Sequence, residues 1–244
     1  HTHTPPHRRC RTRRLSFRWV TWAWVPLHIL TVVLGARWWC TTDDLSLAEQ
    51  IGFAAGVGVL TGGLGINIAH ELMHKQTKLE QTLSRVLLVW VCYGHFFIEH
   101  IKGHHKRVAT AEDPASSKLN QTLYSFVPQS VVGGLTSAWE IEAERLGAAS
   151  AWSPSNHVLR YVAASTAIMT SLMWSFGASA GVFFLLQSAV AIVLLEIVNY
   201  IEHYGLSRKL DPSGNAVAVT PFHSWNAGHR VSNYFLFKLQ RHSD

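Results

Sequence analysis

Charge and cysteine are both scarce in this chain. Charged residues fill only 15% of its 244 positions, too few to fit an ordinary soluble enzyme or a disordered segment. The three cysteines, Cys10, Cys40 and Cys92, lie far apart without a Cys-x-x-Cys pair, which argues against a disulfide framework and against a thiolate metal site. Acidic residues are outnumbered by basic ones, 15 to 21, and a surplus of positive charge is what a membrane protein needs on one side of a bilayer; no nucleic-acid partner is required. Internal repeats are absent, and the only biased tract is the amino-terminal HTHTPPHRRCRTRR. Apolar side chains, by contrast, make up 48% of the chain, with ten tryptophans and fifteen histidines. The first two point to a membrane protein. The histidines equal the whole aspartate plus glutamate count, and imidazole is the commonest metal ligand.

The hydropathy pattern predicts an all-α, polytopic transmembrane bundle of about four spans plus a re-entrant or interfacial helix. Residues 1–14 are polar and basic and are read as a disordered arm or cut end; residues 15–244 form a single membrane domain. Leu15 to Trp39 is nearly uncharged, and about 25 residues at 1.5 Å each cross a hydrocarbon core of roughly 30 Å. It exceeds the apolar core of a signal peptide and lacks a small-x-small exit. Ile51 to Ala69 is a second, glycine-rich span suited to close helix packing. Val86 to Ile98 is apolar but short, so its two ends are expected on one side of the membrane. Lys106 to Asn156 is polar and mixed, with an acidic helical pattern at Glu140, Glu142 and Glu144 that reads as solvent-facing. Val158 to Tyr200 is broken at Gly177 to Gly181 into a hairpin of two spans. With the arm inside, the loops at Thr41–Gln50 and Gly177 fall outside and carry no Lys or Arg, while Lys75, Lys102, Lys106, Arg107, Arg208 and Arg241 fall inside.

The histidines gather at that same inner face. His70 and His74, in HELMHK, are spaced i, i+4 and share one helical face, so both can reach one metal. His100 and His104 repeat the spacing, with His105 adjacent. His203 ends the last span, and His242 stands near residue 244. For any single histidine a satisfied core or interfacial role is the better explanation, and it is retained for His1, His3, His7, His28, His95 and His157. The convergence of the others is more than chance placement gives, and intramembrane ionisable groups are functional by default. Seven imidazoles exceed the three or four that one zinc takes, so two metals are the economical reading; iron, copper and zinc all suit nitrogen ligands. Glu71, Glu99 and Glu202 are the candidate catalytic carboxylates, able to accept a ligand's second ring N–H or to bind metal. His223, His229 and Asn199 are candidates for orienting the ligands.

HELMHK, EHIKGHH, NYIEHYGL and LQRHSD, in this order, resemble the signature boxes of the bacterial membrane alkane hydroxylases, within the membrane fatty-acid desaturase and hydroxylase superfamily. NIAHELMHK, GHHKRVATAEDPASS and FHSWNAGHRVSN extend the resemblance over Gly65 to Asp244. It implies a non-haem di-iron, O2-dependent monooxygenase of the inner membrane that hydroxylates the terminal methyl of n-alkanes, with electrons passed from NAD(P)H through a reductase and rubredoxin. It also implies that His70, His74, His100, His104, His105, His203 and His242 are ligands of two Fe ions. The family's last box continues into two further histidines and more chain precedes its first box, so the sequence is expected to be part of a longer protein, with one iron under-coordinated. A xylene-type or fatty-acid hydroxylase shares the metal site. An intramembrane zinc protease, for which Asp211 in LDPSG would be the distal ligand, and a metal transporter are the more distant readings.

Overall fold

The computed structural model describes residues 7–147, 150–209, 211–213 and 216–226, with side chains from Arg18 onward. Helix α1 (His7–Thr41) reaches back into the basic stretch to which the sequence assigned no fold. Helix α2 (Leu47–Leu60) starts at a capping box: the Ser46 hydroxyl accepts the Glu49 N–H, and the Glu49 carboxylate accepts the Ser46 N–H at 2.9 Å. A π-helical turn at Thr61–Ile66 carries α2 into α3 (Asn67–Met73) without a break in direction. Three helical stretches are long and apolar enough to cross a membrane among the described residues: Arg18–Thr41, Leu47–Met73 and Ser179–His203.

The remaining elements are α4 (Lys78–Val89), α5 (Phe96–Glu99), α6 (His105–Arg107), α7 (Leu123–Leu146), α8 (His157–Phe176) and α9 (Ser179–His203). Helices α8 and α9 form the hairpin expected around Gly177, whose φ of 109° suits glycine. Helix α8, expected as a further span, has 20 residues that rise about 30 Å, but it is not among the three described stretches apolar enough to cross. The short apolar stretch from Val86 to Ile98 is not one helix. Thr77 caps α4 well upstream, and the chain then turns through Cys92, at φ 55°, before α5 begins. The stretch around Glu140 to Glu144 is not simply solvent-facing either, since Glu142 is fully buried. It accepts two hydrogen bonds from Arg145, at 2.9 and 2.6 Å, and faces the His157 ring at 2.8 Å.

Small residues set the central packing. A Cβ on Gly62 would lie 2.7 Å from the Cα of Ala191, and one on Gly58 would lie 2.7 Å from the carbonyl oxygen of Gln187. The second span and α9 therefore touch backbone to backbone, as small residues permit in membranes. Inside that contact Thr61 donates to Gln187 Oε1 at 2.8 Å. Because α3 and α9 end on the same side, the pairing brings His70 and His203 to one end of the bundle.

Candidate metal centre

His70 and His74 sit at the end of α3, one turn apart as their spacing requires. The next histidines lie on a second π-helical turn, His100–His104, sandwiched between α5 and α6. In an α-helix, residues five apart are about 140° out of phase. A π-turn, bonded i to i+5, brings them back into line, and the His105 N–H does point to the His100 carbonyl. His105, rather than His104, is therefore the residue that joins His100. The Nε2 atoms of His70 and His100 are 2.9 Å apart, those of His74 and His70 3.3 Å, those of His74 and His100 3.3 Å, and those of His105 and His100 3.1 Å.

That geometry fits a metal ion better than hydrogen bonding. Each imidazole nitrogen offers one proton or one lone pair, so His100 Nε2 cannot bond to three other ring nitrogens at once. A cation bound at about 2.1 Å by each ring places neighbouring ligand atoms about 3.0 Å apart in an octahedral and about 3.4 Å apart in a tetrahedral arrangement. The observed spacings span that interval. His70 and His100 are buried, while His74 and His105 are exposed, so the cluster lies at the surface of the bundle end.

His104 is turned elsewhere. Its ring lies 4.9 Å from that of His203, and its Nδ1–H donates to Asp113 Oδ2 at 2.9 Å. Asp113 is fixed in turn by the Ser116 hydroxyl at 2.5 Å and the Ala115 N–H at 3.2 Å. Burial opposes a charge on His104, but Asp113, with Glu99 and Glu202, outweighs it and holds the ring up to about 9. The ring must therefore release a proton to bind a metal. His203 Nδ1–H donates to the carbonyl oxygen of His223 at 3.2 Å. Both rings are thus oriented through Nδ1 by an oxygen, as metal-bound histidines usually are.

Of the other expected site residues, Glu71 pairs with Lys75 at the half-exposed rim. Glu99 is buried and accepts from Arg107 at 3.2 Å and from Ser137 at 3.4 Å. Glu202 is buried beside His203, and its Oε1 has no hydrogen-bond partner among the described residues. Asn199 donates to buried Glu196 at 3.3 Å. His223 acts on His203 through its backbone, and its own ring accepts the Thr220 N–H at 2.9 Å. Asp211 lies in a polar turn where it accepts the Ser213 N–H at 2.9 Å. His229 and His242 lie outside the described residues.

Sequence reasoning missed Asp113, although it stands in the stretch GHHKRVATAEDPASS already singled out. It missed Glu196 as well, a carboxylate in the middle of an apolar span that accepts from the Tyr93 hydroxyl at 2.7 Å. The NYIEHYGL box also proves to be a clamp. The Tyr200 hydroxyl donates to the Gln121 carbonyl at 2.6 Å, the Ser117 hydroxyl donates to the Tyr200 carbonyl at 2.8 Å, and Gly205, at φ 70°, donates its N–H to the Ser117 carbonyl at 3.0 Å. The loop carrying Asp113 is thereby tied to the end of α9.

Residues 46–244 match the family model for fatty acid desaturase. The chain is 41% identical over 233 residues to alkane 1-monooxygenase 2 of Pseudomonas aeruginosa, covering 93% of this chain and 61% of that protein. It is 40% identical over 230 residues to alkane 1-monooxygenase of Pseudomonas putida, with 93% and 57% covered. The hydroxylase component of xylene/toluene monooxygenase from Pseudomonas putida is 31% identical over 186 residues, with 75% and 49% covered. The chain thus spans about 60% of the length of the alkane monooxygenases it matches.

Proposed function

Since the chain belongs to the fatty acid desaturase family, we propose that the protein of which it is part is an O2-dependent di-iron monooxygenase that converts n-alkanes to primary alcohols. The reaction balances as one alkane, one O2, two electrons and two protons giving one alcohol and one water. An unactivated methyl group offers no acid or base a grip, so bound iron supplies the oxidising chemistry and the protein supplies binding and placement. The observation that carries the reading is the convergence of three imidazole Nε2 atoms, from His70, His74 and His100, at 2.9–3.3 Å, with His105 Nε2 3.1 Å from that of His100.

His70, His74 and His100 would hold one ion, with His105 as a further ligand beside His100. His104 and His203 would hold the second, with Glu202 as a carboxylate ligand and His242 completing the set. Asp113 and the His223 carbonyl fix the two rings, Glu99 braces the histidine turn through Arg107 and Ser137, and Glu71 keeps Lys75 folded along the rim. His229 and Asn199 serve as orienting groups, Asn199 through Glu196. The protein lies in the inner membrane with this end toward the cytoplasm. Exposed Lys102 and Lys106 beside the cluster favour an acidic electron donor, rubredoxin, fed by its reductase from NAD(P)H.

Full-length protein purified anaerobically and supplied with reductant, n-octane and 18O-labelled O2 tests the reading. Two irons per chain and labelled 1-octanol are expected. Zinc in place of iron, or an alcohol free of label, would overturn it. The xylene/toluene relative motivates a second reading, oxidation of a methyl group on an aromatic ring, and direct competition between toluene and octane separates the two.

A further inference from the structure

Helix α7 is built inside out. Its buried residues are Phe126, Ser130, Gly134, Ser137, Ala138 and Glu142, whereas Tyr124 is 91% exposed, Val132 63% and Leu135 41%. At about 100° per residue, Tyr124, Pro128, Val132, Leu135 and Trp139 fall in a sector roughly 80° wide. The Trp139 ring carries that of Trp152, itself 78% exposed, at 4.7 Å. Beside this stripe Ser125, Thr136, Glu140 and Glu144 are exposed as well. A helix on the surface of a soluble protein turns its apolar stripe toward the core. Here three polar side chains face inward and the apolar stripe faces out, an arrangement that the hydrophobic effect opposes in water and permits in lipid.

Contacts with α9 set the level of the stripe. The Phe126 ring lies 5.5 Å from that of Tyr200, and the Ser130 hydroxyl donates to Glu196. The 25 residues of α9 rise about 37 Å, a few ångströms more at each end than a hydrocarbon core of roughly 30 Å. Glu196 and Tyr200 stand about 10 and 5 Å from the end at His203. The first turns of α7 therefore lie between the hydrocarbon edge and roughly 7 Å inside it, the depth at which amphipathic helices rest on a bilayer. The other end of α7 is no deeper. Glu142 meets His157 at the start of α8, and the hairpin at Gly177 returns that start to the side of the membrane where α9 ends. Helix α7 is also not among the described stretches apolar enough to cross.

We propose that α7 lies along the membrane surface on the side of the histidines, with Tyr124, Val132, Leu135 and Trp152 seated among the headgroups and upper acyl chains of lipid. Tyrosine and tryptophan toward the two ends suit that boundary, and Glu140 and Glu144 point away from it into water. On its inner face, the Ser137 hydroxyl donates to Glu99 at 3.4 Å and accepts from Arg107. Lipid contact along α7 thus holds the turn that carries His100 and His104 level with the membrane surface.

Nitroxide labels placed singly by Val132→Cys, Leu135→Cys, Glu140→Cys and Glu144→Cys, in full-length protein with its native cysteines replaced and reconstituted in phosphatidylcholine and phosphatidylglycerol vesicles, test the proposal. Collision with O2, which concentrates in lipid, should exceed collision with a water-soluble nickel chelate at least fivefold at 132 and 135, and the order should reverse at 140 and 144. Contact with the chelate at 132 and 135 would place the stripe in water and refute the proposal. Shielding from both reagents would refute it too, by showing that protein covers the stripe; dipolar broadening between labels then identifies a second copy, and its absence another segment of the longer protein. A second measurement needs no label: Trp152→Phe should reduce the share of tryptophan emission quenched by lipids brominated near the headgroup, and an unchanged share would count against lipid contact. Neither readout involves metal or turnover, so both stand whatever the reaction proves to be.

Discussion

Substituting Gly62 with alanine probes how closely the second span and α9 depend on a missing side chain. The added Cβ would stand 2.7 Å from the Cα of Ala191 and 2.9 Å from its carbonyl oxygen. Both are backbone atoms and cannot rotate away. Restoring an ordinary contact at 3.4 Å requires the helices to part by about 0.7 Å, more than the roughly 0.5 Å that a preorganised site tolerates. One of these helices leads to His70 and the other carries His203. Overpacking of this kind costs about 1–3 kcal/mol, and at about 2–4 °C per kcal/mol for a chain of this size the unfolding midpoint falls by roughly 2–12 °C. Gly56→Ala is the matched control, since nothing lies within 4 Å of its added Cβ and helix propensity alone favours alanine by about 0.5–1 kcal/mol. Thermal unfolding in detergent, followed by tryptophan fluorescence, should order the proteins as Gly56→Ala, unaltered, Gly62→Ala. Equal midpoints for the two alanine variants would show that the backbones are not in contact and that α9 is free to move relative to α3.

Other consequences can be checked separately. Asp113→Asn should weaken retention of metal by about 10- to 100-fold, as loss of a carboxylate behind a ligand generally does, with the affected ion read by titration against a chelator. His104→Ala should leave one ion bound by the His70, His74 and His100 cluster, whereas His100→Ala should empty that cluster and leave the ion at His104 and His203; metal analysis should find one ion per chain in each variant, and X-ray absorption a shell richer in imidazole in the first. Burial alone would raise the Glu142 carboxyl, but hydrogen bonds from Arg145 and from the His157 N–H and ring overcome it and lower the value from 4.5 to about 2. Glu142 therefore contributes stability above pH 4.5 that drains away as the pH falls toward 2. Unfolding midpoints measured between pH 6 and 3 should fall more steeply for the native protein than for Glu142→Gln.

Hydropathy and histidine spacing made the helical bundle legible, because apolar runs and i, i+4 pairs are local properties. The pairing of His70 with His74 and the hairpin at Gly177 could be read in this way. The π-turn at His100–His104 could not, since its backbone register depends on packing between α5 and α7, and the α-helical spacing rule consequently coupled His100 to His104 rather than to His105. Asp113 escaped notice because it reaches His104 only when its loop folds back and is held by Tyr200, Ser117 and Gly205. Glu142 looked solvated because nothing local reveals that Arg145 and His157 will close over it.

Neighbouring residues His104 and His105 face different histidine groups. Their Cα atoms are joined by a single peptide unit, which fixes them about 3.8 Å apart. Helices in a bilayer can slide and tilt against one another, so a spacing held only by side-chain packing would drift with lipid composition and temperature. Here part of that spacing is set by covalent geometry. The π-turn gives the site a ruler made of chemical bonds, and the surrounding helices need only keep it pointed the right way.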